Sequence, residues 1–366
     1  MRETTGESDA RRVTLLAAGD VGLQGDGSAN PLSVLSSLRP PSAVTVVNLE
    51  VALSLRTGHE AEKAVRLAAP PARAAWLAEA GVDVVNVANN HVLDLGPAGF
   101  DDTLEALHAS GVAFCGGGNP RYPQGQAVVE REGLRLGFLG YCLTPFAEQG
   151  RFVRCLDAAA ACADVRALAE ACDAVIVSLH AGVEDSHYPS PLQIRQARQL
   201  VEAGATVVLG HHPHVVQGVE RWGRGLIAYS LGNFQFPPLL PAHREAFALS
   251  VELTRRAVAA YRILPLRLDS GGAPAALDAG EAARLRERVE ALSAPIVANR
   301  VDDRRWFAHI ARPYLQGNLR SWKLRVRRYG LRHALQFARW AVSPFVLRCY
   351  RGLLRRALQR HDPEIL

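Results

Sequence analysis

Short runs of β-branched and other apolar residues alternate along the chain with Ala- and Leu-rich stretches of helical length, and this alternation predicts an α/β fold. Pro and Gly stand at the ends of several helical stretches, where they favour helix starts and stops. The predicted strands are 13–18, 43–48, 82–87, 134–140, 174–179, 206–210 and 226–230, and the predicted helices are 70–80, 98–110, 157–171 and 191–203. Segments 246–253 and 258–268 are too close for a helix between them, so they predict an antiparallel pair.

Positive charge is concentrated toward the end of the sequence. Residues 300–366 carry 16 Lys and Arg against 4 Asp and Glu, a net charge of +12, whereas the whole chain carries +6 and the other 299 residues carry −6. We therefore predict a main domain over 13–270 and a basic α-helical extension over 300–366. Residues 1–12 are expected to be a flexible N-terminus, and 271–299 a linker, best placed at 270–275, with a helix that packs on the main domain.

The composition is that of a folded protein, with 48% hydrophobic and 21% charged residues. No apolar run reaches the roughly 20 residues that a membrane-spanning helix needs. The first 12 residues are charged and lack the apolar core of a signal peptide, so we expect a cytoplasmic protein. The six cysteines form no CxxC pair, and we expect them to be free thiols.

Side chains that can bind metals follow one predicted strand after another, and ligands of open α/β sheets bind at such strand ends. A lone Asp there is more often a turn or cap residue, and a lone His more often a structural one. Three imidazoles within four residues, at His211, His212 and His214, are harder to explain in this way because they would compete for hydrogen-bond partners. The candidates are Asp20, Glu50, Asn90, His91, Asp94, His180, Glu184, His211, His212, His214 and Asn233.

Carboxylate, amide and imidazole ligands together suit a borderline divalent ion such as Mn, Fe, Co, Ni or Zn. About six candidate ligands exceed one tetrahedral shell, which favours two ions over one. Two ions about 3.5–4 Å apart can generate hydroxide and stabilise an in-line displacement at phosphorus. Hydrolysis of a phosphoester is therefore the first mechanistic hypothesis.

Six motifs occur in order: Gly-Asp-Val (19–21), Asn-Leu-Glu (48–50), Ala-Asn-Asn-His-Val-Leu-Asp-Leu-Gly (88–96), His-Ala-Gly-Val-Glu (180–184), Gly-His-His-Pro-His-Val-Val-Gln-Gly-Val-Glu (210–220) and Tyr-Ser-Leu-Gly-Asn-Phe (229–234). As an ordered set they resemble the CapA family of poly-γ-glutamate capsule-synthesis proteins, within the calcineurin-like metallophosphoesterase superfamily. The resemblance covers about residues 13–268. It implies a four-layer α/β sandwich, in which two mixed sheets pack face to face between helical layers.

The resemblance also implies roles for single residues. Glu50 takes the place of the bridging carboxylate, and His91 that of the acid that protonates the leaving group or holds the phosphoryl oxygen. The implied metal ligands are Asp20, Glu50, Asn90, His180, His212 and His214. Asp94, Glu184, His211 and Asn233 are expected to support these ligands or to contact the substrate. The implied cofactor is one or two divalent metal ions, with Mn, Fe or Zn favoured.

The chain departs from the superfamily's pattern at two of these motifs. The usual Asp-x-His opening is here Asp-Val-Gly at 20–22, which removes a histidine ligand of the first metal and leaves open whether one ion binds or two. The usual His-Trp-Gly-x-Glu is here His-Ala-Gly-Val-Glu at 180–184, and the loss of the Trp changes the shape of the pocket.

These features predict a metal-dependent hydrolase, in the first instance a phosphoesterase, that acts on an anionic small molecule or polymer. Two alternatives stay open. The chain could be a non-hydrolytic component of poly-γ-glutamate or capsule assembly or export, or it could be a scaffold whose site holds one structural ion. The retained ligand types, with His91 beside Asn90, favour chemistry over a scaffold.

Arginines and apolar residues recur at helical spacing in the basic extension. Arg325, Arg328, Arg332 and Arg339 follow this spacing, two apolar stripes run along 322–342, and Ser343-Pro344 should end the helix before another over 345–360. The extension is then either a solvated helical segment, packed on the main domain or in a dimer, or a peripheral contact with the inner face of an anionic membrane. We do not expect nucleic-acid binding, because no recognised module accompanies the charge.

Overall fold

The computed structural model describes residues 11–358 except 24, 26–28, 58–62, 64, 124, 144–148 and 331, and at 149 and 332–335 it describes the backbone alone. The predicted N-terminal segment therefore lies, up to residue 10, outside the described residues. The described chain has two large mixed β-sheets with helices on their outer sides, so the predicted α/β class is confirmed.

The first sheet carries the N-terminal strands. Its order is β16 (Pro274–Ala276), β15 (Ala257–Leu268), β14 (Glu245–Thr254), β1 (Val13–Val21), β2 (Val44–Leu49), β5 (Val84–Asn86) and β6 (Ala113–Cys115), and β13 (Asn233–Gln235) also pairs with β1. Strands β1, β2, β5 and β6 are parallel, whereas β14, β15 and β16 are antiparallel to their neighbours. The predicted antiparallel pair is confirmed, since it is β14 and β15.

The second sheet has the order β11 (Val219–Trp222), β12 (Gly225–Ala228), β10 (Val207–His211), β9 (Ala174–His180), β8 (Leu134–Cys142) and β7 (Gln126–Arg131). Its four inner strands are parallel, and its two edge strands are antiparallel to them. Two short strands, β3 (Ala52–Leu53) and β4 (Ala68–Ala69), pair separately. All seven strands that the sequence predicts are present. The strands that it did not predict are β3, β4, β6, β13 and β16, whose two or three residues carry no periodicity, and also the longer edge strands β7 and β11.

The helices are α1 (Val34–Leu38), α2 (Ala74–Glu79), α3 (Gly96–Ala109), α4 (Ala158–Ala171), α5 (Pro191–Glu202), α6 (Ala279–Val297), α7 (Asp303–Tyr329), α8 (Arg332–Ala341) and α9 (Pro344–Leu358). Alternate side chains of β1 point to different layers, as the twofold period of a strand requires. Leu15 packs in a cluster with Phe138 of the second sheet, whereas Leu16 packs in a cluster with Phe100 of α3. The order of layers is therefore helices, sheet, sheet, helices.

Close backbone contacts bring the ends of β1 and β10 together. A Cβ atom at Gly19 would lie 1.9 Å from the carbonyl oxygen of Gly232, and one at Gly210 would lie 1.9 Å from that of Tyr229. Only glycine permits backbone to approach so closely. The segment 229–232 can therefore run between the two strand ends, where the predicted site residues are.

The basic extension packs on the main domain. Trp306 of α7 is buried and its indole Nε1 donates a hydrogen bond to the carbonyl oxygen of Tyr188, at 3.0 Å. Helix α9 lies against α7 so closely that a Cβ atom at Gly352 would be 2.4 Å from the carbonyl oxygen of Phe307. Helix α6, predicted to pack on the main domain, does so: Ser293 Oγ accepts a hydrogen bond from the backbone N–H of Val219 at 2.8 Å.

Two features of the C-terminal half differ from the prediction. The segment 270–275, predicted as a linker, holds the start of strand β16, which pairs with β15 and extends the first sheet. The helix predicted through 322–342 is two helices, because Gly330 ends α7 with a φ of 83°. The break at Ser343-Pro344 is confirmed, since α8 ends at Ala341 and α9 begins at Pro344. Residue 331 and the side chains of 332–335, part of the predicted stripes, lie outside the described residues.

None of the described helices combines the length and the apolar character needed to cross a membrane.

We predict that Gly210→Ala lowers the free energy of unfolding by about 1–3 kcal/mol, because the added methyl group must displace the backbone at Tyr229. Gly317→Ala is the control: it lies inside α7 with no heavy atom within 4 Å of the added Cβ, so stability should rise by up to about 1 kcal/mol. Urea or thermal unfolding measures both. Equal stability of Gly210→Ala and the wild type would contradict the close approach.

Candidate metal centre

Strand ends from both sheets meet at one point, and the predicted ligands lie there. Asp20 is near the end of β1, Glu50 follows β2, and His180 ends β9. Glu50 Oε1 is 3.7 Å from His180 Nε2, 3.9 Å from His214 Nε2 and 4.0 Å from His91 Nε2. The structure therefore brings together side chains that are far apart in sequence, while their roles as ligands stay predictions.

Glu50 has an unusual environment for a carboxylate. It is fully buried, and neither of its side-chain oxygens has a hydrogen-bond donor among the described residues. Burial, and after it the negative charge of Asp20, raises the pKa of Glu50 well above its usual range. A buried carboxylate without donors is destabilising unless a cation neutralises it. The position in front of Glu50 therefore suits a metal ion.

Asp20 is the second buried carboxylate of the site. Asn48 Nδ2 donates a hydrogen bond to Asp20 Oδ1 at 2.8 Å, and the backbone N–H of His212 donates to Oδ2 at 3.2 Å. Burial alone would raise the pKa of Asp20, but the contacts with His211 and His214 outweigh burial and hold this pKa well below its usual range. Asp20 is therefore ionised, as a metal ligand must be.

Asn48 connects the two halves of the site, although the sequence did not single it out. Besides Asp20, it contacts His180, whose Nδ1 lies 3.3 Å from Asn48 Nδ2. Its own Oδ1 accepts a hydrogen bond from Asn86 Nδ2 at 2.8 Å. Asn48 thus orients one candidate ligand from each sheet. Its place in the Asn-Leu-Glu motif was the signal that could have found it.

The histidines of the site differ in their protonation. Burial, and after it the charge of His212, lowers the pKa of His180 well below its usual range, and burial lowers the pKa of His212 to about 4. For His214, burial is outweighed by the charge of Glu50 and the contacts with Asp20, which raise its pKa to about 10. His180 and His212 are therefore neutral, whereas His214 carries a proton that metal ligation would displace.

The backbone after β10 is strained where these side chains are placed. His212 has a φ of 96° and His214 a φ of 59°, in the left-handed region that costs a residue with a Cβ about 1–3 kcal/mol. The His212 ring lies 4.8 Å from the His180 ring, and His214 Nδ1 is 2.8 Å from Asn233 Oδ1. Such strain is typical of functional sites, where the position of a side chain matters more than local stability.

The donor atoms fit a borderline divalent cation. Asn90 Oδ1, 2.7 Å from His180 Nε2, adds an amide oxygen to the carboxylates and imidazoles. Three overlapping groups of three residues have ligand atoms within 4.8 Å of one another. The first group is Glu50, His180 and His212, the second is Asp20, Glu50 and His214, and the third is Glu184, His212 and His214. Because Glu50, His212 and His214 are shared, the set suits either one ion or two adjacent ions. Glu184, expected only to support the site, is also within reach of one.

His91 is positioned by Asp94, which the sequence analysis named, and behind it by Lys63, which it did not name. His91 Nδ1 lies 2.6 Å from Asp94 Oδ2, a contact that orients the ring, while the supporting role of Asp94 stays a prediction. Lys63 Nζ lies 2.5 Å from Asp94 Oδ1 and also contacts the carbonyl oxygen of Asn90. Burial lowers the pKa of His91, and the hydrogen bond to Asp94 opposes that shift only in part. Lys63 was missed because no sequence pattern connects it with residues 90–94.

The remaining neighbours complete the wall of the site. His211 is buried with its Nδ1 3.4 Å from Asp20 Oδ1, and neither ring nitrogen has a hydrogen-bond partner among the described residues. The Phe236 ring, which the sequence analysis did not single out, lies 5.1 Å from the His214 ring. A Cβ atom at Gly22, where the superfamily's histidine is missing, would be 3.0 Å from Phe236. The aromatic ring therefore leaves little room for a ligand at position 22.

Comparison with known proteins finds a matching family and several similar proteins. The family described as bacterial capsule synthesis protein PGA_cap matches residues 14–238. The capsule biosynthesis protein CapA of Bacillus anthracis is 29% identical over 58% of this chain and 54% of its own length. The PGA biosynthesis protein CapA of Bacillus subtilis is 27% identical over 57% of this chain and 56% of its own. The chain thus spans about half the length of these relatives. A solved structure described as a novel phosphatase, from Mycoplasma pneumoniae, is 13% identical, with a TM-score of 0.48 over 71% of this chain and 95% of its own.

We predict that Glu50→Gln weakens divalent-metal binding by more than about 100-fold, because loss of a ligand should exceed the 10–100-fold cost of changing an outer contact. The metal-free variant should be at least as stable as the metal-free wild type, since the change removes a buried acid that receives no hydrogen bond from the described residues. Metal content by mass spectrometry and thermal unfolding test both points. Glu105→Gln, on the exposed side of α3, is the control and should keep its metal.

We also predict that metal binding releases at least one proton at pH 7. His214, with its pKa of about 10, is protonated in the metal-free protein and must lose that proton to bind an ion. Apparent affinity should therefore rise about tenfold per pH unit between pH 6 and 9. Calorimetric titration in two buffers with different ionisation enthalpies counts the protons, and His214→Gln should release one fewer. Identical heats in both buffers would refute this protonation state.

Proposed function

This chain belongs to the PGA_cap family of bacterial capsule synthesis proteins, and from that premise and the geometry of the site we propose that it is a metal-dependent hydrolase of phosphoesters. The buried Glu50 carboxylate is the observation on which the proposal depends most. None of the described residues donates a hydrogen bond to it, and it lies beside the Asp20 carboxylate and close to His91 of the first sheet and to His180 and His214 of the second. A site of oxygen and imidazole donors arranged in this way is suited to hydrolysis and lacks the thiolates of a structural zinc site.

The proposed mechanism assigns a separate task to each group of residues. A divalent ion held here would lower the pKa of a water molecule and would stabilise negative charge on a phosphoryl oxygen. The ligands proposed to hold it are Asp20, Glu50, Asn90, His180, His212 and His214, with Glu184 as a further oxygen donor. Asn48 orients Asp20 and His180 from behind. These residues fix the position at which the substrate's phosphoryl group must sit.

His91 is proposed to carry the proton of the leaving group. Asp94 accepts a hydrogen bond from Nδ1–H, and this leaves Nε2 as the nitrogen that faces the centre, 4.0 Å from Glu50 Oε1. When the ring carries a proton on both nitrogens, Nε2 can pass its proton to the leaving oxygen, and His91 becomes neutral with its proton on Nδ1. Lys63 and the backbone N–H of Leu67 both donate to Asp94, which keeps its carboxylate in place.

The relatives' descriptions favour a second candidate function. Both Bacillus relatives are described as biosynthesis proteins, one for capsule and one for PGA. The chain could then take part in assembly or export of an anionic polymer such as poly-γ-glutamate without acting on phosphoesters. The same site would in that case contact the carboxylates of the polymer or cleave its γ-glutamyl bonds.

A substrate panel separates these candidates. Purified protein loaded with Mn, Zn or Mg is assayed against phosphomonoesters, phosphodiesters and γ-glutamyl peptides. Turnover of either phosphoester class supports the proposal, and turnover of γ-glutamyl peptides alone supports the polymer function. Tight metal binding with no turnover would favour a scaffold that holds a structural ion.

We predict that His91→Ala lowers turnover by about 10²–10⁴-fold, because the proton of the leaving group loses its carrier. Metal content should stay that of the wild type, since Glu50 and the other proposed ligands are unchanged. His108→Ala, an exposed histidine of α3, is the matched control and should change neither quantity. Loss of metal together with activity in His91→Ala would show that His91 is a ligand or a structural residue instead.

A further inference from the structure

Helix α9 has two different apolar faces, and within the described part of the chain only one of them is packed against protein. Val346, Cys349 and Gly352 are buried on the face that meets α7. On the opposite face Leu347, Tyr350, Leu354 and Leu358 are exposed, and Leu354 is 64% exposed. Their spacing of three and four residues places them in one row along the helix. We call this row the α9 stripe.

Positive charge lies beside the α9 stripe. Arg351 is four residues after Leu347, and Arg355 is four residues after Arg351. The two arginines therefore lie one above the other along one flank of the row. No carboxylate of the described residues pairs with either of them, whereas Arg348 is held by Asp303. The sequence from 304 to 358 contains 14 Lys and Arg and no Asp or Glu. The surface around the α9 stripe is therefore both cationic and apolar.

We propose that the α9 stripe, with Arg351 and Arg355, docks this protein on the surface of an anionic lipid bilayer. The leucines enter the boundary between headgroups and acyl chains, and the arginines keep their guanidinium groups at the phosphates, as long basic side chains do at interfaces. Tyr350 lies in the row between them, a residue type that favours headgroup depth.

The chemistry of the α9 stripe favours a bilayer over other anionic partners. A dissolved polyanion or a nucleic acid would need the arginines but would leave the leucines in water. A bilayer uses both, because it offers negative charge and an apolar layer about one side chain below it. The α9 stripe shares no residue with the metal centre, so this inference is independent of the proposed hydrolysis.

Vesicle sedimentation of the full chain tests the inference. At low salt the wild type should bind vesicles of phosphatidylglycerol and phosphatidylcholine, and should not bind pure phosphatidylcholine. Arg351→Gln with Arg355→Gln should weaken binding about 25-fold, since each arginine near an anionic surface is worth about a factor of five. Leu347→Gln with Leu354→Gln should weaken it at least about tenfold. Metal content should be that of the wild type in both double variants.

A matched control uses another exposed Leu and Arg pair. Leu192→Gln with Arg195→Gln changes the same residue types, three positions apart on the surface of α5, and should leave binding unchanged. The inference is overturned if the wild type stays in solution with anionic vesicles, or if the control weakens binding as much as the α9 variants. It is also overturned if the leucine variant binds vesicles like the wild type. In that case the bilayer does not take up the leucines, and the α9 stripe serves another partner, such as poly-glutamate bound by the arginines or a second copy of the chain bound by the leucines.

Discussion

Two carboxylates buried side by side, Asp20 and Glu50, are the constraint on which the arrangement of this protein depends. Burial removes both from water, and their like charges repel, so the surrounding structure has to supply compensation. Asn48, the backbone of His212 and the charge of His214 compensate Asp20. Glu50 receives no hydrogen bond from the described residues, and a bound cation is the compensation that its surroundings suit.

The cluster needs both sheets, because neither sheet contributes all of its side chains. The first sheet contributes both carboxylates, and the second contributes His180 and the histidines after β10. Glycines at 19 and 210 let the intervening backbone pass close enough for the two groups to meet. The site is therefore a property of the junction between the sheets, and the backbone strain at His212 and His214 is a local cost of placing their rings there.

Helix α7 of the basic extension contacts the main domain at both of its ends, through apolar packing at its start and a hydrogen bond at its end. Trp306 and Phe307 are part of the main core, and farther along α7 the hydroxyl of Tyr329 donates a hydrogen bond to the carbonyl oxygen of Lys63. Lys63 in turn holds Asp94 behind His91. The basic extension thus contacts the outer edge of the metal centre through Tyr329, while its α9 stripe stays exposed on the surface.

The sequence by itself determined the alternation of strands and helices, the identity and order of the candidate ligands, and the breaks at Ser343-Pro344, because local periodicity and turn residues encode these features. It did not reveal Lys63 and Phe236 beside the site, strand β16 within 270–275, or the end of α7 at Gly330. Only the tertiary structure decided that no described residue donates a hydrogen bond to Glu50, and that Asn48 joins Asp20 to His180. Asn48 lies 28 positions from Asp20 and 132 positions from His180. The distances between such residues follow from how the strands and the two sheets pack, which no local pattern records.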